Sequence, residues 1–382
     1  MHPNGGSNVD ALKSSERLML PKRITTDPAA AIAVVAVAMV AVSFLLSRQT
    51  AIRARGVSMS NDQHSIVEDE HGRYASVPEQ LPARGLRDVF WRVVHEVAED
   101  RVAFVAAGVT FYLLLALFPA LAALVSLYGL MADPAVISDH LRDLAGMLPP
   151  GTFEVFSEQL HALVERRDTT LGIAFLVGLM IAVWSTHNGT LAVFDAMNVA
   201  YEENEKRRFV KLNLIALAFT FCAILAAVFL IGVMALLPAI LQLVWLEPWK
   251  ETLALLVRWP ILMLVSLLAM TAVYRFGPSR QPARLRWLTW GALFSTLAWV
   301  VMTLCFSWYL DKFADYNATY GALGGLVGFM MWIWLSVCIL IVGAELNAEL
   351  EHQTSRDTTT GAPLPMGARG AYMADNIGRI VN

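Results

Sequence analysis

The side chains best suited to chemistry in this sequence are crowded into one apolar stretch. Ser185, Thr186, His187, Asn188 and Thr190 come close together, followed by Asp195 and Asn198. Ser185, Asn188 and Asp195 are spaced three and then seven residues apart, which places them on one face of a helix. Such a stripe inside a membrane has two uses. It can line a pathway for a polar solute, or it can hydrogen-bond one helix to its neighbours. Thr110 and Tyr112 on an earlier apolar run, and Glu345 and Asn347 at the end of the last one, are further candidates for a substrate pathway. Arg258 lies six residues into another run, where its stem can carry the charge to headgroups or hold an anionic group. Pro119 interrupts the amide pattern of the first run, and a kink there frees a carbonyl.

Other chemistries lack their residues. The eight histidines, His2, His64, His71, His95, His140, His161, His187 and His352, are scattered, with no His-x-His-x-Asp-His cluster and no carboxylate set placed for two metals. Neither a nuclease centre, nor a metal site, nor a cofactor site is expected. No phosphate-binding glycine loop precedes a Lys-Ser or Lys-Thr pair, so ATP is not expected to power the chain directly. A net charge of -3 gives no basic domain for nucleic acid. Cys222, Cys305 and Cys338 all lie in apolar runs and read as small buried hydrophobes.

The elements that carry these residues follow from composition. The 382 residues are 57% hydrophobic and only 16% charged, with a mean hydropathy of +0.53. The charge is gathered into clusters between long apolar runs, as in a bilayer protein. A spanning helix needs about 20 mostly apolar residues to cross a hydrocarbon core about 30 Å thick. Residues 103–131, 171–194, 210–237, 252–274, 287–309 and 322–344 meet this. A further apolar segment at 29–47 stands apart: it spans, or it is a signal segment, or translation starts later, at Met59. Gly321, Gly324, Gly325 and Gly328 give the last run two glycine pairs four apart, a spacing for close helix packing.

Orientation follows from the loops. Lys206, Arg207 and Arg208 in one short loop, and Arg275, Arg280, Arg284 and Arg286 in another, outnumber the basic residues of the longer connections on the other side. Both ends of the six-helix core are therefore expected in the cytoplasm. Ahead of the core, Val89, Phe90, Val93, Val94 and Val97 make one apolar face, with Arg87, Arg92, Glu96 and Arg101 elsewhere, which predicts an interfacial helix. Between the first two spans, leucines and other apolar residues recur at helical spacing on both sides of Pro149, Pro150 and Gly151, which predicts an extracytoplasmic helical hairpin. The expected domains are an N-terminal extension with a disordered linker (1–86), a six-helix membrane domain (87–352) and a disordered, polar cytoplasmic tail (353–382).

Five phrases are more specific: AAGVTFYLLLALFPALAALVSLYGL (106–130), WSTHNGTLAVFDAMNVAYEENEKRR (184–208), YRFGPSR (274–280), FADYNATYGALGG (313–325) and GAELNAEL (343–350). In this order they resemble the YihY/BrkB-like family of bacterial inner-membrane proteins over roughly residues 87–352. The resemblance implies a six-helix multi-pass protein of the inner membrane. Members have carried the labels ribonuclease BN and virulence factor, and some are discussed as exporters of lipid-like or envelope molecules. Where the family usually shows a Ser-Arg-Gly type sequence after Trp-Ser, this chain has Thr186, His187, Asn188 and Gly189, so no role for His187 carries over. The expected fold is all-α: a polytopic membrane helix bundle with six core transmembrane helices, the N-terminal apolar segment and the outer hairpin. The expected function is transport or export of an envelope-related or lipid-like molecule, with a non-transporting membrane scaffold as the alternative. The lipid bilayer is the expected partner, and nucleic acid is not.

Overall fold

A computed structural model describes residues 70–131, 170–243, 250–313 and 322–381, with side chains described for 70–119, 176–230, 259–310 and 324–381. The segment 29–47, the hairpin expected between the first two spans, and Asp315, Tyr316, Asn317, Tyr320 and Gly321 lie outside the described residues. Apolar runs in hydrocarbon have no water to satisfy their amides, so each closes its hydrogen bonds internally as a helix. Six helices result: α2 (Val102–Met131), α3 (Thr170–Ala200), α4 (Phe209–Leu243), α5 (Lys250–Phe276), α6 (Leu285–Phe313) and α7 (Ala322–His352). They are preceded by α1 (Ala83–Glu99) and followed by one turn, α8 (Tyr372–Asp375). All six of α2 to α7 are long and apolar enough to cross a membrane. Among the described residues the only strand-like pairing is an isolated bridge between Ala283 and Thr359.

Each helix packs on its neighbour in the sequence, from α2 to α7, and α7 returns to α2, so the six close into a ring, with α3 also touching α7 and α5 across it. At one end the ring is closely packed. The start of α2 (Val102, Ala106, Val109), the end of α3 (Met197, Ala200, Tyr201), Tyr274 at the end of α5, the start of α6 (Leu288, Ala292) and the end of α7 (Ile341, Ala344, Ala348) share one buried cluster, plugged by Met373 of α8. Two glycines make the closest approach. A methyl group on Gly291 would strike the Gly343 carbonyl, and one on Gly343 would strike the Ser295 and Tyr274 hydroxyls, so α6 and α7 cross almost backbone to backbone. The glycines singled out by spacing do less. Gly324 is buried, Gly325 and Gly328 only half-buried, and a methyl on Gly328 would meet Leu310 at an ordinary 3.7 Å. Pro119 sits within an uninterrupted α2, as Pro260 does within α5.

Several expectations need correction. The helices outrun the apolar segments, most of all at the end of α7 and then at the ends of α3 and α4; on α3 and α7 polar residues continue the helix because they have partners. The apolar face expected of α1 is split. Val89 and Val93 pack inward with Asp88 and Arg92, while Leu86, Phe90, Trp91 and Val94 remain exposed. Cys222 and Cys305 lie on exposed helix faces rather than in a core. The tail, expected to be disordered, is folded onto the end of the ring. Thr354 donates to the Ala75 carbonyl at 2.6 Å, the Arg284 amide to the Thr358 carbonyl at 2.9 Å, and Thr354, Thr358 and Met373 are buried. Residues 70–82, expected in a disordered linker, are the other half of this contact, with Arg73 donating to the Gly378 carbonyl at 2.7 Å.

Candidate functional site at the polar end of the ring

The last two turns of α7 carry Glu345, Asn347, Glu349 and Glu351, none more than 1% exposed. Helical spacing sends them in two directions, Glu345 and Glu349 one way, Asn347 and Glu351 another. On the first side the partners come from α1. Arg92 forms a buried ion pair with Glu349, and donates further to the Gln353 side chain at 2.8 Å and the Arg379 carbonyl at 2.9 Å. Glu345, one turn earlier, has no arginine. Its hydrogen-bonding neighbour is the Asp100 carboxyl at the end of α1, and its Oε1 meets no N–H or O–H donor.

On the second side, Glu351 pairs with Arg280 at 2.6 Å, both essentially without exposure, and accepts from Thr358 at 2.8 Å. The Arg280 guanidinium stands over the Tyr201 ring, 4.4 Å from its centre, a cation–π contact strengthened by burial. Burial opposes the Arg280 charge, but Glu351 and then Tyr201 outweigh it and hold the group above its ordinary value. Burial pushes the Tyr201 phenol up as well. Asn347 accepts from the Gly291 amide at 2.8 Å. Its Nδ2 faces the Tyr201 hydroxyl without a well-formed hydrogen bond, and both atoms stay otherwise unpartnered.

Loops lock the rim. Helix α3 ends in a Schellman turn, with the Glu203 amide donating to the Asn198 carbonyl at 2.8 Å and the Glu202 amide to the Val199 carbonyl at 2.9 Å. Glu202 takes the left-handed position usually given to glycine, at φ 49°. The Asn198 side chain accepts from the Ser279 amide at 2.7 Å and donates to Glu205 at 3.2 Å. Arg207 joins Glu205 at 2.7 Å and reaches the Gly277 carbonyl at 2.7 Å. Burial alone would raise the Glu205 carboxyl, yet hydrogen bonds from Arg207, Asn198 and Ser279 bring it down to about 2. Tyr372 of α8 closes over the rim, its amide donating to Glu203 at 2.7 Å.

The candidates read from the sequence therefore disperse. Glu345, Asn347 and Asn198 belong to the polar end. Ser185 and His187 are buried further along α3, Asn188 is half-buried and Asp195 is exposed, so one stripe crosses three environments. His187 Nε2 donates to Asn213 Oδ1 of α4 at 2.9 Å, leaving Nδ1 unpartnered, and Thr190 meets Thr220 of α4 at 3.0 Å. Thr110 spends its hydroxyl on the Ala106 carbonyl at 2.7 Å, and Tyr112 is 42% exposed beside Phe111. The Arg258 side chain lies outside the described ones. Sequence reasoning missed Asp100, Tyr201, Arg280, Gly291, Gly343 and Glu351. The signal that could have found them was the density of charged residues where apolar helices end. One group with metal-ligand composition was missed too: His95, Glu96 and Glu99 on α1 bring their ligand atoms within 4.8 Å of one another. His95 and Glu99 are exposed and pair across one turn at 3.2 Å, the ordinary use of that spacing on a solvated helix.

Comparison with known proteins places the chain. It is 30% identical over 278 residues to a ribonuclease-like protein, YfkH, of Bacillus subtilis (strain 168), covering 69% of this chain and 94% of that one. It is 27% identical to the UPF0761 membrane protein IL2447 of Idiomarina loihiensis, covering 53% of this chain and 69% of the other. With the UPF0761 membrane protein Nmul_A0452 of Nitrosospira multiformis the identity is 25%, over 66% of this chain and 58% of that one. No solved structure matches. The family model described as Virulence factor BrkB matches residues 93–365, from α1 through α7 into the tail that seals the polar end, and the chain belongs to that family of membrane proteins.

Proposed function

We propose that this protein moves an envelope-related or lipid-like molecule across the bacterial inner membrane and is not an enzyme. The observation that carries this reading is the ring of six apolar helices whose polar end, with buried Glu345, Asn347, Glu349 and Glu351, is closed over by α8 and the tail. A ring plugged at one end by α8 and the tail fits one closed state of an alternating-access device. The buried, incompletely partnered atoms of Glu345, Asn347 and Tyr201 at that end support it, because uncompensated polar groups inside a membrane protein are expensive and mark functional positions. Lys206, Arg207, Arg208, Arg275, Arg280, Arg284 and Arg286 are all at this end, which supports a cytoplasmic location for it by the positive-inside rule.

A non-transporting scaffold is the second reading. It is favoured by His187–Asn213 and Thr190–Thr220, which turn part of the polar stripe into ties between α3 and α4. Comparing envelope lipids and metabolites between cells lacking and cells overproducing the protein separates the two. Transport predicts a molecule that accumulates in one and is depleted in the other, and identical profiles sink it. The ribonuclease-like name belongs to the Bacillus relative. For this chain, RNA cleavage by the purified protein, abolished by D195N or E345Q, would overturn the non-enzymatic reading.

A further inference from the structure

Glu345 is out of place among the acidic groups around it. Glu349 has Arg92 and His352, Glu351 has Arg280, Glu203 has Lys206 and Glu205 has Arg207. Glu345 is buried to 1% exposure, with an Oε1 that meets no N–H or O–H donor, and its hydrogen-bonding neighbour is a second carboxyl, Asp100. The strongest charges acting on it come from α1 (Asp100 and Glu96) and from α7 itself (Glu349), and these are acidic. Beyond them, Glu99 acts on Asp100, and Glu202 at the end of α3 acts on Glu96 and on the Tyr372 phenol of α8. On the α6 side of α7, Asn347 faces the Gly291 amide, a neutral contact.

Two ionised carboxylates in hydrogen-bonding contact, without a cation between them, repel. One proton held between them turns the contact into a hydrogen bond. Burial pushes the Asp100 carboxyl above its ordinary value, the hydrogen bond with Glu345 opposes this and Glu99 adds to it; burial also raises Glu96. The pair bridges the turn between α1 and α2 to the end of α7, the helix that closes the ring. Arg101, next to Asp100, holds a left-handed φ of 50°, so that turn already departs from relaxed backbone.

We propose that Asp100 and Glu345 form a proton-binding site, and that proton uptake and release there drives the opening of the polar end. The proton enters the carboxyl pair from bulk water and returns to it, with no other bond made or broken. When it leaves, two negative charges face each other and push the α1–α2 turn away from α7. The coupling half of this inference rests on the transport reading above, whereas the proton pair does not.

Two measurements keep them apart. In full-length protein in lipid nanodiscs, infrared difference spectra between acidic and alkaline buffer are expected to show a protonated-carboxyl C=O stretch lost on the alkaline side. That band should be absent in both E345Q and D100N. If one variant fails to fold, the other carries the test, since they remove the pair from opposite sides. A spectrum unchanged by either substitution overturns the proton site. In cells, the envelope-lipid difference produced by overproducing the wild type is expected to fall to the null level with E345Q. An undiminished difference overturns the coupling and leaves transport standing. No difference even with the wild type overturns transport, and the coupling with it.

Discussion

The polar residues of α3 and those at the end of α7 are of similar kinds, yet the ring uses them differently. On α3, His187 and Thr190 reach α4 and find Asn213 and Thr220, one polar group answering another. At the end of α7, carboxylates sit with almost no exposure, two with buried arginines and one, Glu345, with another carboxyl. The difference lies in what a substitution leaves behind. Remove one partner of a neutral pair and the survivor keeps a modest desolvation penalty. Remove one partner of a buried ion pair and a bare charge remains in a medium that cannot solvate it. Residue type alone therefore does not tell the two regions apart; the partners that each polar group finds do.

The largest effect that tests this contrast is at Arg280. R280L leaves the Glu351 carboxylate without its arginine, and a loss of about 3–5 kcal/mol is expected, read as a lowered unfolding midpoint in detergent. The double variant R280L/E351L should recover most of it. If R280L alone is harmless, the polar end is looser than its hydrogen bonds indicate. Next comes G343A. Its methyl strikes the Ser295 and Tyr274 hydroxyls, and a loss of about 1–3 kcal/mol is expected from the forced separation of α6 and α7. G328A, with open contact to Leu310, should be close to neutral in the same assay. A smaller effect is expected at Glu205. Its carboxyl is lowered to about 2 from 4.5, so its contribution is present above pH 4.5 and is lost as the pH falls toward about 2. The group lies at a partly solvated rim, which holds the effect below about 1 kcal/mol. Thermal midpoints of wild type and E205Q should converge across that window; parallel curves would mean that Glu205 is already free.

How far the sequence reveals these regions follows from the range of the forces. The spans are legible because apolar length is a local property, and α1 is legible as amphipathic for the same reason. What α1 packs against is not. Arg92 belongs to the polar part of the wheel and is nonetheless buried, because Glu349, 257 residues later, supplies its counter-charge. The tail is the clearest case. Its Thr, Arg, Asp, Gly and Pro residues read as solvated chain, and they are ordered because other parts of the molecule accept their bonds. Arg369 donates to the Ser355 carbonyl at 2.8 Å and Tyr372 rests on Glu203. For the same reason Glu345 and Asn347 stand out in the sequence by polarity alone, while Asp100 and Tyr201, in ordinary company at helix ends, do not.

The weakest link in the contrast is His187, and it sharpens it most. Neutral side-chain hydrogen bonds between membrane helices contribute about 0.6 kcal/mol on average. H187A and N213A are each expected to lower the unfolding free energy by about that amount, with a double-mutant coupling of the same size. Loss of a tie of this strength is expected to leave unchanged whatever envelope-lipid difference overproduction of the wild type causes. His187 keeps Nδ1 unpartnered at 9% exposure, however, as Glu345 keeps Oε1. If H187A abolishes that difference while the unfolding midpoint barely moves, then α3 also carries a poised group. The boundary between tie and working site would then run through single side chains rather than between helices.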